Sequence, residues 1–438
     1  MTDISQLRGA GEALTPDDAG FAAATAWPGP PVSPDVLVRS STPQEVAAAL
    51  TWAAASGVDV AVRSGGHGAW VTVPGGLLID LGAFTGVEVG DDDVVHVGAG
   101  ATWGAVADAL APHGLALSSG DTGSVGVGGN ALGAGMGWLV RSVGLAVDQL
   151  VAAEIVTADG RVVTASADEN PDLFFAIRGG GGNFGVATRL DFRAHPVRDV
   201  VFGTAAIDPE RLGAAIRGVR DAMRDAPREL VVTLVHPPPL GPPMPPMVAM
   251  LWAGDDEAAA RAALAPLLAT NGVGEADLKV VPYASTLAPS PPMPPGPPPR
   301  ITGTNGIFTR LEDATVDRAV QALAAHPGSL FDIRFLGGAL TDVPIDATAI
   351  AWRDAEAMVH WIAFLPPDAS DEEVAGARDV WAPVGEGADA VCGTFTDESG
   401  PDLLARMYPP ATLDRLREVK RTWDPGNLFR RNHNIAPA

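Results

Sequence analysis

Three glycine-rich turns and one charged strand hold most of the residues in this 438-residue chain that could do chemistry. The first turn, Val62-Arg63-Ser64-Gly65-Gly66-His67-Gly68, follows the apolar run VDVAVRS. Glycines after a strand let backbone N–H groups turn toward a phosphate without a Cβ in the way. Ser64 adds a hydroxyl and His67 an imidazole at the tip, although a histidine in such a turn also suits a structural or solvent-facing role. The second segment, SSGDTGSVGVGGNALGAGMGWL (118–139), spaces Gly126, Gly128 and Ala131 as G-x-G-x-x-A, with Asp148 about twenty residues on. A dinucleotide fold needs a strand ending at Gly126 and a helix opening there. No strand pattern precedes Gly126, and Gly133, Gly135 and Gly137 each cost a helix about 1 kcal/mol. A glycine-lined loop against a flat or phosphate-bearing ligand fits better. The third segment, RGGGGNFGVAT (178–188), has four consecutive glycines, an entropic cost that favours close backbone approach to another group. In SLFDIRFLGG the period of a strand puts Asp332 and Arg334 on one face, as an ordinary salt bridge or as a pair facing a substrate. Cys392 is the one cysteine. It excludes an intramolecular disulfide and a Cys-x-x-Cys zinc site, so no metal is expected, and in the strand-like VCGTF it reads as a small buried hydrophobe.

Alternating helices and strands must position these residues. TPQEVAAALTWAAASG has Thr42 as N-cap, Pro43 at the first helical position, Glu45 completing a capping box and Gly57 as the stop. Thr102 caps a helix through WGAVADALAPHG, Asp159-Gly160 turns a hairpin, and Asn170 as cap with Pro171 at the first position opens a short helix before the four glycines. From about residue 200 the pattern becomes helices (DPERLGAAIRGVRDAM) among strands (ELVVTLV, MVAMLWAG, SLFDIRFLGG, AMVHWIAFL), helices on an antiparallel sheet. Residues 237–246 carry 7 prolines and 289–299 carry 8, so both are loops. They read as rigid surface loops, or as adaptable walls for a bulky apolar substrate. Leu413, Leu416, Val419 and Trp423 give the last helix its apolar face.

Composition narrows the function. Hydrophobic residues make up 47% of the chain, enough for a sizeable core, and the net charge of −24 repels nucleic acid and anionic lipid. No apolar run reaches the roughly 18 residues of a membrane span, and the first residues show no secretory signal. A cytoplasmic enzyme without nucleic-acid or membrane partners is expected.

Together, RSGGHG (63–68), SVGVGGNALGAGMGWL (124–139), GLAVDQLVAAEIVTADG (144–160), LFFAIRGGGGNFGVAT (173–188), FLGGAL (335–340) and DPGNLFRRNHNI (424–435) resemble the covalent-flavin oxidase family that includes berberine bridge enzyme, glucooligosaccharide oxidase and bacterial D-hydroxynicotine oxidase. The resemblance spans nearly the whole chain in order. It implies an α+β, two-domain PCMH-type FAD-binding fold: residues 1–200 bind FAD, 201–404 form an antiparallel-sheet substrate domain, and 405–438 return to the FAD domain. It implies FAD contacts from Arg63, Ser64, Gly65, Gly66, His67, Gly68, Thr122, Val125, Gly126, Gly128, Gly129, Gly135, Gly137, Val186, Asn432 and Asn434. His67 would be bonded to the flavin C8 methyl. Bicovalent members have a cysteine where this chain has Thr122, so attachment through His67 only is expected, as in the hydroxynicotine oxidase branch. Val125 stands where a valine resembles the oxidases, open to O2. Asp332 and Arg334 resemble a substrate-facing pair, and Tyr283 and Tyr408 resemble tyrosines near the pocket. Leu413 replaces a tyrosine that many relatives carry, against a tyrosinate base. The implied activity is oxidation of a small alcohol or amine, with O2 as acceptor and H2O2 as product. The alternatives are a natural-product tailoring flavoprotein and a flavin-retaining binder without turnover.

Overall fold

Thr42 does what its position predicts. In the computed structural model, which describes residues 7, 9–26, 33–68, 75–238, 240, 242–287 and 296–438, its hydroxyl accepts from Glu45 N and the Glu45 carboxylate accepts from the Thr42 N–H. The capped helix Pro43–Ser56 ends at Gly57 with φ 64°. It connects two strands of a small sheet made of β1 (Glu12–Leu14), β2 (Val36–Arg39), β3 (Val60–Arg63) and β4 (Leu77–Asp80), in the order β1-β2-β4-β3. β4 runs parallel to both β2 and β3, so β3 delivers the chain directly into the His67 turn.

A second sheet is antiparallel, with the order β5-β6-β9-β7-β8. It contains β5 (Val87–Val89), β6 (Val94–Gly98), β7 (Leu150–Val156), β8 (Val162–Ser166) and β9 (Val186–Arg193). β7 and β8 form a hairpin at Asp159-Gly160. Three local expectations are corrected here. A helix, Val127–Gly133, does open at Gly126. Tertiary contacts override its glycines: Val127 N and Gly128 N donate to Ala101 O and Ala99 O. No strand feeds it, since Gly126 makes only an isolated bridge to Thr102. Asn170 precedes helix Pro171–Gly180 but does not cap it; its amide donates to Thr164 O instead. Cys392 lies in irregular backbone, not in a strand.

The third sheet is antiparallel throughout, in the order β13-β10-β12-β11-β15-β16-β14. Its strands are β10 (Asp199–Ile207), β11 (Leu230–His236), β12 (Met247–Trp252), β13 (Val273–Pro282), β14 (Arg300–Phe308), β15 (Ser329–Phe335) and β16 (Ala357–Leu365). Helices Leu212–Arg224, Glu257–Leu268, Asp313–Ala325 and Asp371–Gly385 cover one face through Ile216, Leu264, Val316 and Trp381, the last stacked on Trp361. The other face carries Val231, Leu251 and Met358 into the core of the first two sheets. Val391, Cys392, Leu403 and Leu404 belong to that same core, so the chain returns to it before residue 405. Of the proline-rich loops, residues 239, 241 and 289–295 lie outside the described residues.

Arg141 joins the units. Its guanidinium donates to Leu230 O, Leu336 O and Ala226 O. Gly337 (φ 87°) and Gly338 (φ 59°) make that approach possible, because a Cβ on Gly338 would sit 2.3 Å from Arg141 O. This gives FLGGAL a packing role at the junction.

Candidate active site

Between the glycine turns and the third sheet lies a cavity of about 610 Å³, within the usual range for small-molecule sites. Its glycine-rich wall forms by backbone contact. A Cβ on Gly65 would lie 2.3 Å from Gly126 N, and one on Gly126 would lie 2.1 Å from Gly65 N. Only two bare backbones fit there, and the contact places His67 and Thr122–Val125 on one wall. Ser64 spends its hydroxyl on Ala99 O at 2.6 Å, fixing the turn. His67 Nε2 lies 3.2 Å from Ser124 Oγ. The ring is open to the cavity, while the surrounding burial lowers its pKa and favours a neutral imidazole.

Ser64, Gly65, Gly66, His67, Gly68, Thr122, Val125, Gly126, Gly128, Gly129, Val186 and Asn432 all line the cavity, as do Arg334 and Tyr408. Six expected residues do not. Arg63 is buried and donates to Ala24 O and Asp80 Oδ2, pinning β3 to its neighbours. Gly135 and Gly137 face Ala146 and the Ser119–Gly120 backbone; each gives room to protein, not to a ligand. Asn434 lies beyond the lining. Tyr283 is in the first core and donates to Leu117 O at 3.1 Å, and burial pushes its phenol up to about 12. Asp332 is 4% exposed and sits behind the lining rather than in it.

The opposite wall is the charged face of β14, β15 and β16. Arg334 Nε donates to Asp332 Oδ1 at 3.0 Å, and its Nη1 lies 2.7 Å from Asp121 Oδ2. Asp332 Oδ2 meets His360 Nδ1 at 2.7 Å. Burial would raise the Asp332 carboxyl, but the charge of Arg334, with the hydrogen bonds from His360 and Arg334, outweighs it and holds the group below the usual carboxylate range. Phe395 packs edge-on to His360 with centroids 5.0 Å apart and lies 5.1 Å beneath the Arg334 guanidinium. Tyr408 donates to Gly179 O at 2.9 Å, and burial pushes its phenol above its ordinary value.

His360, Asp121 and Phe395 escaped the sequence reading. Strand period alone puts His360 and Ile362 on one face of β16, but only the cross-strand register sets His360 opposite Asp332.

The residues present fit a flavin nucleotide. Gly129, Gly181 and Gly182 line the cavity, and a Cβ on any of them would meet no protein atom within 4 Å. The wall is recessed where a ligand must enter. Asn432 Oδ1 is buried there without a hydrogen-bond partner, a cost that a bound donor removes.

Comparison with known proteins agrees. Residues 34–166 match the FAD binding domain family, and residues 395–436 match the family described as berberine and berberine like. The chain is 30% identical to the FAD-linked oxidoreductase OXR1 of Pyricularia oryzae, covering 91% of this chain and 83% of that protein. It is 27% identical to (R)-6-hydroxynicotine oxidase of Paenarthrobacter nicotinovorans, covering 98% and 97%. The fold matches glucooligosaccharide oxidase of Acremonium strictum, a protein with 6-S-cysteinyl, 8α-N1-histidyl FAD, at a TM-score of 0.86 and 20% identity over 100% of both chains. The chain belongs to the berberine bridge enzyme-like family of FAD-linked oxidoreductases. No helix among the described residues is long and apolar enough to cross a membrane.

Proposed function

We propose that the chain is an FAD-dependent oxidase that removes two electrons from an alcohol or amine carbon of a small molecule and delivers them to O2, giving H2O2. The observation that carries this reading is convergence: four segments remote in sequence, around His67, Val125, Gly181 and Asn432, line one cavity opposite a charged sheet face. Bound there, FAD supplies the acceptor for a hydride from the substrate carbon and passes the electron pair to O2. His67 holds the cofactor through a neutral imidazole nitrogen. Thr122 lines the cavity without a sulfur, and the lone thiol, Cys392, is buried outside the lining, so His67 is the single point of attachment. The Asp121–Arg334–Asp332 chain fixes the charge of the opposite wall, and Phe395 keeps that wall apolar where it meets substrate.

Val125 is the residue for oxygen. Reduced protein is expected to reoxidise rapidly on stopped-flow mixing with aerated buffer. Val125→Leu should slow that step roughly tenfold, about 1.4 kcal/mol in barrier, and leave flavin reduction near the parental rate. Slow reoxidation in the parent would contradict oxygen as the physiological acceptor.

A further inference from the structure

We propose that His360 accepts the substrate proton and that Asp332 is its positioning residue. This deepens the oxidase reading and rests on it. The geometry separates the two roles. Both are buried, but His360 and Arg334 line the cavity, whereas Asp332 does not and lies behind them. Both carboxylate oxygens are committed, Oδ1 to Arg334 Nε at 3.0 Å and Oδ2 to His360 Nδ1 at 2.7 Å. A carboxylate paired in this way is a poor proton acceptor and a strong orienting group.

The hydrogen bond also selects the tautomer. An ionised carboxylate only accepts, so in a neutral ring the hydrogen sits on Nδ1 and the lone pair on Nε2. The ring plane is held independently. Phe395 packs against it at 75°, and Phe395 is itself held beneath Arg334. Asn305 lies across from His360 on β14 and spends its amide on the backbone of Cys392 and Phe395. Asp332 of β15 is the charged group hydrogen-bonded to the ring, with Arg334 and then Asp121 paired behind it, while Asp397 and Arg431 line other parts of the same cavity. Tyr408 is not a competing base, because its hydroxyl donates to Gly179 O.

In the step assigned to the dyad, the substrate O–H or N–H bond breaks and its proton bonds to His360 Nε2. The electron pair left behind forms the C=O or C=N double bond as the C–H pair leaves as hydride, for which a bound flavin would be the acceptor. The imidazolium so formed lies against the Asp332 carboxylate, the arrangement that stabilises it.

The test has two arms. With protein labelled with 15N-histidine and flavin in place, long-range 15N–1H correlation should show one histidine protonated at Nδ1 and bare at Nε2. That signal should be absent from His360→Gln and lose its tautomer preference in Asp332→Asn. In the second arm, a panel of primary alcohols, secondary alcohols and secondary amines is mixed anaerobically with the parent, and the compound that bleaches the flavin fastest is taken forward. His360→Gln should keep its flavin and reduce it roughly 10²–10⁴-fold more slowly; Asp332→Asn should also be slower. An Nε2-protonated His360 in the parent, or parental reduction in His360→Gln, overturns the proposal while leaving the oxidase reading intact. A parent that no panel compound bleaches counts against the oxidase reading itself, whatever the tautomer.

Discussion

Lys420→Ala and Asp424→Ala are each expected to lower unfolding stability by about 3–5 kcal/mol, the cost of stranding one member of a buried ion pair. Lys420 is 0% exposed and Asp424 is 0% exposed, with Nζ 2.7 Å from Oδ2. The pair also organises two segments. Lys420 donates to Asn183 O and Phe429 O, and Asp424 accepts from Leu428 N and Phe429 N. Through these bonds the 179–183 glycine turn and the C-terminal segment bearing Asn432 are held together beside the cavity. Flavin content should therefore fall along with stability. Urea unfolding followed by circular dichroism measures the first effect, and absorbance of the purified variants measures the second. The exposed Lys279–Asp277 pair is the control: Lys279→Ala should change stability by no more than about 0.5 kcal/mol. Equal small effects at both sites would contradict the assigned role.

The other large effect is at His67. After acid precipitation, the parent pellet should keep its flavin, whereas His67→Ala should release all of its flavin to the supernatant. The variant should still bind FAD before acid treatment, because the Ser64–Gly68 turn is fixed by Ser64 and by the Gly65–Gly126 contact, neither of which uses the imidazole. Flavin absorbance in the pellet and supernatant measures the difference. A variant pellet as yellow as the parent would place the attachment elsewhere.

What could be read from the sequence was local or periodic. Thr42, Glu45 and Gly57 mark their helix because capping is a contact among near neighbours. Asp332 and Arg334 share a face because strand side chains alternate. The glycine turns revealed themselves by composition, and most of them line the cavity. Identity within a motif did not report direction, however. Arg63 sits beside Ser64 yet reaches back to Asp80, and Gly135 and Gly137 give their room to Ala146 and Ser119. The helix after Gly126 was hidden because its first N–H groups, of Val127 and Gly128, donate to the carbonyls of Ala101 and Ala99, which are remote in sequence. His360 was hidden for a related reason: its partner is fixed by the pairing of β15 with β16, and a one-residue slip in that register would turn it to the other face. Tyr283 shows the converse: it resembles a tyrosine near the pocket, yet here it is a core residue with its hydroxyl on Leu117 O.

The most direct measurement of the central claim is the absorption spectrum and intact mass of the purified, acid-denatured chain. One flavin chromophore should remain with the polypeptide, and the mass should exceed that of the 438 residues by one FAD. A colourless protein with the mass of the bare polypeptide, from cells supplied with riboflavin, would contradict that claim.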